Sequence, residues 1–217
     1  MVPPPQVGCV HLLTFARSAV NLRTVIEVVL VDDHPAVRTG LHTLLRSEPG
    51  ILPRAVTGSV REAERVIERL RPDVVLADYQ LEDGDGLALC RYVKALPDAP
   101  FLVIYSAYAG NELTLAAALS GVDALVSKSA RPDELFDAVR RVARGDRLLP
   151  HPAPDLMAKA SETLEPEDLP ILGMLVEGTP PNEVADVLRI DRDDLDKRIE
   201  AMAQRLGPRL DHEPAWR

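Results

Sequence analysis

Short apolar runs that stop abruptly on a polar residue alternate with amphipathic stretches through residues 27–145. Residues 27–31 form the first run, rich in valine, and Asp32-Asp33 end it. Residues 34–47 carry Val37, Leu41, Leu44 and Leu45 at spacings of three and four, the mark of an amphipathic helix, stopped by Pro49-Gly50. Residues 51–57 read as a second strand. Ser59 then caps a helix through Leu70 whose Val60, Ala63, Ile67 and Leu70 share a face. Residues 73–77 are a third strand, 87–96 a helix, 101–105 a fourth strand, and 112–120 a helix closed by Gly121. Residues 124–127 are a fifth strand, and 132–144 a helix ending at Gly145.

Strands alternating with helices call for a parallel sheet covered on both faces, and right-handed crossovers make the doubly wound five-stranded sheet the plainest topology. Residues 146–162 loosen, with Pro150, Pro152 and Pro154 close together, and read as an interdomain linker. Helical patterns at 166–177, 181–188 and 191–206 follow. A unit so small, with a short turn before its longest helix, suggests a helix-turn-helix.

Composition narrows the class. The chain has 217 residues, 46% hydrophobic and 27% charged, which is folded rather than disordered material. Cys9 and Cys90 lie far apart without metal-ligand spacing, so a disulfide framework and a zinc site are disfavoured and a reducing, cytoplasmic home is expected. No apolar run is long enough for a membrane span. Residues 1–25 open with Pro3-Pro4-Pro5 and lack a basic region ahead of their apolar part. They read as a poorly ordered extension rather than a signal peptide, with an added helix as the alternative.

The candidate chemistry sits at the strand ends. Asp32 and Asp33 follow the first strand, Asp78 the third, Ser106 the fourth and Lys128 the fifth, so all meet at one sheet edge, where open α/β sheets bind ligands. A lone Asp78 could simply begin a turn. Three carboxylates together repel unless a hard cation or a positive side chain compensates, and magnesium suits such a set. With Lys128 as a point charge and a small hydroxyl, the site can hold phosphoryl oxygens while Asp78 acts as nucleophile and forms an acyl phosphate. The first strand lacks a glycine-rich fingerprint or P-loop, which disfavours nucleotide binding.

The motifs Val31-Asp32-Asp33-His34-Pro35, Ala77-Asp78-Tyr79-Gln80-Leu81, Tyr105-Ser106-Ala107 and Ser127-Lys128 resemble those of two-component response regulators. The whole chain resembles the NarL/FixJ branch: a flavodoxin-like receiver at 26–145, a linker at 146–162 and a small all-α LuxR-type helix-turn-helix domain at 163–217. The resemblance implies that Asp78 is the phosphoacceptor, that Asp33, Asp32, Asp78 and the Gln80 carbonyl hold Mg2+, and that Ser106 and Lys128 bind the phosphate and switch. It implies a sensor histidine kinase as partner and a homodimer through the receiver, with Leu113, Leu135 and Val139 as apolar candidates. It also implies no enzyme activity beyond the receiver's own phosphoryl transfer and slow autodephosphorylation. Two positions depart from the family pattern. Glu82 stands where a proline is usual, which predicts a looser loop, and Leu125 replaces the aromatic switch residue.

The C-terminal register carries Leu164-Glu165-Pro166, Val176-Glu177-Gly178, Asn182-Glu183-Val184-Ala185, Leu188 and Leu206-Gly207-Pro208-Arg209. In the LuxR-type domain the last helix enters the major groove. Here it opens Asp191-Arg192-Asp193-Asp194-Leu195-Asp196, and residues 162–217 hold fourteen acids against seven bases. Lys197, Arg198 and Arg205 are the DNA-contacting candidates, but DNA affinity rests on neutralised phosphates and this surface starts at a disadvantage. Acids in a first turn also stabilise a helix by themselves. A DNA-binding transcription regulator and a phosphorylation-controlled protein-interaction module therefore compete. A dehalogenase-like phosphatase is a distant third, because Gln80 stands where its second Asp belongs.

Overall fold

The computed structural model describes residues 25–107 and 111–206. Most of the extension expected over 1–25, and residues 207–217, lie outside them. The receiver strands are β1 (Ile26–Val31), β2 (Ile51–Thr57), β3 (Val74–Ala77), β6 (Phe101–Ser106) and β7 (Ala124–Ser127), and they form one parallel sheet in the order β2-β1-β3-β6-β7. Val28 and Leu30 face one side and Val29 and Val31 the other, all fully buried. Burial on both faces is why these strands read as unbroken apolar runs rather than alternating ones. Pro53, which can donate no ladder hydrogen bond, sits on β2 at the sheet edge, beside a register shift between Val28 and Val29.

Helices α1 (Pro35–Ser47) and α5 (Pro132–Ala143) cover one face through Leu41, Leu45, Leu135, Val139 and Val142. The other face is covered by α2 (Val60–Leu70), α3 (Gly86–Lys94) and α4 (Asn111–Leu119) through Ala63, Ile67, Leu89, Val93, Leu113 and Ala117. Leu113, Leu135 and Val139, expected to offer an apolar surface to a second copy, are thus core residues at 1%, 1% and 0% exposure. Their helical period was read correctly, but the apolar stripe faces the sheet.

Two elements escape the sequence pattern. The acidic loop after β3 folds into a two-residue hairpin, β4 (Gln80–Leu81) against β5 (Gly84–Asp85). The proline-containing stretch 146–162, expected to be a loose linker, instead holds α6 (Pro154–Thr163), with Pro154 in the first turn where its missing N–H costs nothing. Ahead of it, Leu148 bridges to Ala124 beside β7. Then come α7 (Leu169–Val176), α8 (Pro181–Leu188) and α9 (Arg192–Leu206), around a core of Ile171, Leu172, Leu175, Val184, Leu195, Ile199 and Met202.

That core does not close on itself. Leu115 and Leu119 of α4 belong to it, at 1% and 4% exposure. Helix α4 is therefore apolar on two sides: one packs on the sheet, the other on α7 and α9. Arg147 adds a polar tie, donating to the Leu175 carbonyl at 2.7 Å at the end of α7. Among the described residues no helix is long and apolar enough to cross a membrane.

Candidate functional site

Parallel register sets the site. Val31 pairs with Ala77, Ala77 with Ile104, and Ser106 with Ser127, so the residues at the carboxyl ends of β1, β3, β6 and β7 converge. Backbone bonds carry the ladder past the strand ends: Asp78 N donates to the Val31 carbonyl at 2.8 Å, and Lys128 N to the Ser106 carbonyl at 2.9 Å. Asp32, Asp78 and Ser106 are all buried.

Lys128 Nζ donates to Asp78 Oδ2 at 2.6 Å and to Asp32 Oδ2 at 2.8 Å. Burial acts to lower the Lys128 pKa, yet its hydrogen bonds to Asp32 and Asp78 outweigh this and hold the ammonium above its ordinary range. Burial likewise pushes the Asp78 carboxyl up. Lys128 opposes that rise by hydrogen bond and charge, Asp32 adds to it, and the backbone N–H of Gln80 opposes it. The Gln80 backbone thus touches Asp78 through its N–H.

Each Asp32 oxygen accepts one hydrogen bond, Oδ1 from His34 N at 2.8 Å and Oδ2 from Lys128. Asp33 differs. Its Oδ1 is buried and stands 2.5 Å from His34 Nδ1. Asp32, Asp33, His34 and Asp78 each place one donor atom within 4.8 Å of the others. A donor set dominated by carboxylate oxygens fits a hard divalent ion.

The surrounding loop is held more firmly than Glu82 in place of proline predicts. Asp83 accepts from Val60 N at 2.7 Å and Arg61 N at 3.2 Å, capping α2 from outside the helix. Gly86 N donates to the Tyr79 carbonyl at 2.7 Å. At the departure near the switch, Leu125 is partly buried against the core, and the Tyr105 hydroxyl donates to the Lys128 carbonyl at 3.3 Å. The contacts of His34, Asp83 and Gly86 were missed in the sequence; His34 stands in a motif already quoted, but nothing local shows what any of the three touches.

Residues 28–140 match the response regulator receiver domain family, more than half of the chain. The chain is a response regulator of the NarL/FixJ type. It is 35% identical over 193 residues to the DNA-binding transcriptional activator DevR/DosR of Mycobacterium tuberculosis, covering 84% of this chain and 88% of that protein. Among solved structures it is similar to a LuxR-family two-component response regulator from Aurantimonas, at 30% identity and TM-score 0.55, covering 64% of this chain and 96% of that one. It is also similar to the response regulator ChrA of a heme-sensing two-component system, at 29% identity and TM-score 0.51, covering 82% and 88%.

In this response regulator the basic residues of α9 are spoken for. Lys197 Nζ lies 3.3 Å from Asp194, Arg205 3.3 Å from Glu165, and Arg192 binds Asp196 at 3.0 Å and also Asn182. Arg198 is tied to the buried Asp168 ahead of α7 at 2.6 Å and is only 27% exposed. Its first duty is to join α9 to α7.

Proposed function

We propose that the chain accepts a phosphoryl group on Asp78 from a sensor histidine kinase and relays its charge to a DNA-binding C-terminal domain. The observation that carries this reading is the Lys128 ammonium held between Asp78 and Asp32 at the sheet's carboxyl edge. An Asp78 oxygen attacks phosphorus while the bond to the donor's leaving atom breaks, and Lys128 follows the charge onto the phosphoryl oxygens. Ser106, on the strand beside β3, is the hydroxyl that turns towards them. Asp32, Asp33, Asp78 and the Gln80 carbonyl are the residues to hold Mg2+, which when bound supplies positive charge to the transferring oxygens. Beyond this transfer the receiver catalyses only slow loss of its own phosphoryl group.

Phosphorylation adds roughly one and a half to two negative charges at this edge. Helix α4 follows directly after β6 and its Ser106, and it is the helix that packs on α7 and α9. A shift of α4 is therefore the route by which the C-terminal domain senses Asp78, and two copies together supply paired half-site contacts on DNA. DevR/DosR is a DNA-binding activator, and its likeness spans both parts of this chain. The ion-paired bases and acidic first turn of α9 favour one second reading, a protein-interaction module.

Acetyl phosphate with Mg2+ is expected to label the full-length protein and not Asp78→Asn. Phosphorylated protein is expected to bind duplex DNA at low salt, more tightly when Asp194 and Asp196 become Thr and Lys. Labelling of Asp78→Asn rejects the phosphoacceptor, and no duplex binding before or after the double replacement selects the protein-partner reading.

A further inference from the structure

Arg38 stands one turn into α1, and the phosphoryl transfer above gives it no role. Its backbone serves the helix, with Arg38 N donating to the His34 carbonyl at 3.0 Å. Its side chain turns back to the end of β1, where Nη1 donates to the Asp32 carbonyl at 2.7 Å. The guanidinium also fills the space a side chain at Gly58 would take: a Cβ there would lie 2.9 Å from Arg38 Nη1 and 3.3 Å from Cζ. Gly58 lies outside the positive-φ region, so room for Arg38, not backbone conformation, is what this glycine provides.

The carbonyl that Arg38 holds belongs to the peptide joining Asp32 to Asp33, and the planarity of that peptide passes its orientation on to the Asp33 Cα. Asp32 is otherwise well held. Its N donates to the Thr57 carbonyl at 3.2 Å, and its carboxylate accepts from His34 N and Lys128. Asp33 comes one residue after that last rung, where the sheet ladder no longer sets its direction. The turn after β2 anchors the loop that follows Asp78 as well. Asp83 accepts from Val60 N and Arg61 N, and a Cβ on Gly84 would lie 3.1 Å from Val60 Cγ2. Residues 58–61 are thus a common footing, reached from the Asp33 side by Arg38 and from the Asp78 side by Asp83.

We propose that Arg38 is a positioning residue for the Mg2+ site, holding the peptide between Asp32 and Asp33 so that the Asp33 carboxylate is ordered before the ion arrives. This rests on the metal site proposed above. Magnesium makes the demand sharp, because it takes near-octahedral geometry with bonds of about 2.0–2.1 Å and gives up its waters reluctantly. A carboxylate that must be ordered on binding loses affinity by the entropy of ordering it. The two cations of the site divide the work: Lys128 bonds carboxylates, and Arg38 bonds the backbone that carries one. A guanidinium stays charged at every working pH, so its hold does not titrate away.

The test uses full-length protein with Arg38→Ala, Arg38→Lys and Gly58→Ala, the last of which pushes the guanidinium aside and leaves every carboxylate in the chain. Mg2+ is titrated by calorimetry without a phosphodonor, and acetyl phosphate labelling is followed over a range of Mg2+ concentrations. Mg2+ affinity is expected to fall about tenfold in Arg38→Ala, the scale for losing an outer-shell partner, and at least about threefold in Gly58→Ala. Arg38→Lys keeps a donor for the carbonyl and should regain most of the loss. Labelling at saturating Mg2+ should stay within about threefold of wild type, placing the defect in the metal concentration required and not in the transfer. Wild-type Mg2+ affinity in Arg38→Ala or Gly58→Ala overturns the positioning role, as does a labelling loss in the folded variants that saturating Mg2+ fails to repair. If Arg38→Ala does not fold, Gly58→Ala decides by the same comparison. Absence of Mg2+ binding by the wild-type protein overturns the metal site and the role with it.

Discussion

A Cβ on Gly86 would lie 2.1 Å from the carbonyl oxygen of Asp78, a distance no real pair of such atoms adopts. Gly86 is the first residue of α3, and the close approach lets that helix start directly beneath the Asp78 backbone. Gly86→Ala must move either the helix or Asp78. We expect acetyl phosphate labelling to fall at least tenfold and stability to drop by roughly 1–3 kcal/mol, the usual cost of overpacking. Labelling kinetics and a urea titration read the two effects; wild-type values for both would remove the steric role.

Lys128→Met leaves Asp32 and Asp78 buried together without their shared cation. Breaking a buried pair costs about 3–5 kcal/mol, and roughly 2–4 is expected here because Lys128 keeps 21% of its side chain in solvent. The sign of the pH dependence follows from Asp78. Its carboxyl is raised in the folded state, so the native protein binds the proton more tightly, and stability declines as pH climbs from the ordinary 3.8 through the raised value. Without Lys128 the upper end of that window moves higher. The deficit of the variant should therefore be smallest in acid and grow towards neutrality; a deficit constant across pH would contradict the pairing.

Leu119→Ala tests the joint between α4 and the C-terminal helices. Loss of a buried leucine costs about 2–5 kcal/mol, and here the loss falls on the contact with α7 and α9. Protease cleavage between residues 144 and 153 should quicken at least tenfold, with the receiver's phosphorylation rate retained. Unchanged cleavage would show that α4 does not hold the domain.

Asp83→Ala removes the external cap of α2. A cost of about 1 kcal/mol is expected. Burial acts to raise the Asp83 carboxyl, yet the backbone hydrogen bonds from Val60 and Arg61 and the Arg61 charge together outweigh it and hold the carboxyl below its ordinary 3.8, so its contribution is present above that value and lost as pH falls below it. Thermal denaturation at neutral and at strongly acidic pH should show the difference between variant and wild type closing in acid.

Cys90 is fully buried on the core-facing side of α3, and burial pushes its thiol far above the ordinary range. In a Cys9→Ser background a thiol reagent should react only as fast as the protein opens, and reaction should be complete in denaturant. Rapid labelling of the native variant would place Cys90 elsewhere.

The sequence by itself determined the parallel sheet and the gathering of Asp32, Asp33, Asp78, Ser106 and Lys128 at one edge. Each strand's apolar run and the polar residue ending it are local features, and parallel register does the rest. Helix α6 was hidden because its three neighbouring prolines read as a linker, although Pro154 is a helix starter. Only the tertiary structure decided that α4 serves two cores, since Leu115 and Leu119 look like any other helical leucines until α7 and α9 arrive. It alone decided that Arg198 is committed to Asp168, thirty residues away, and that Leu113, Leu135 and Val139 face inward. Periodicity reports that a face is apolar. Which surface covers it, and which distant charge meets a given side chain, depends on how elements far apart in the chain are brought together, and no local spacing carries that.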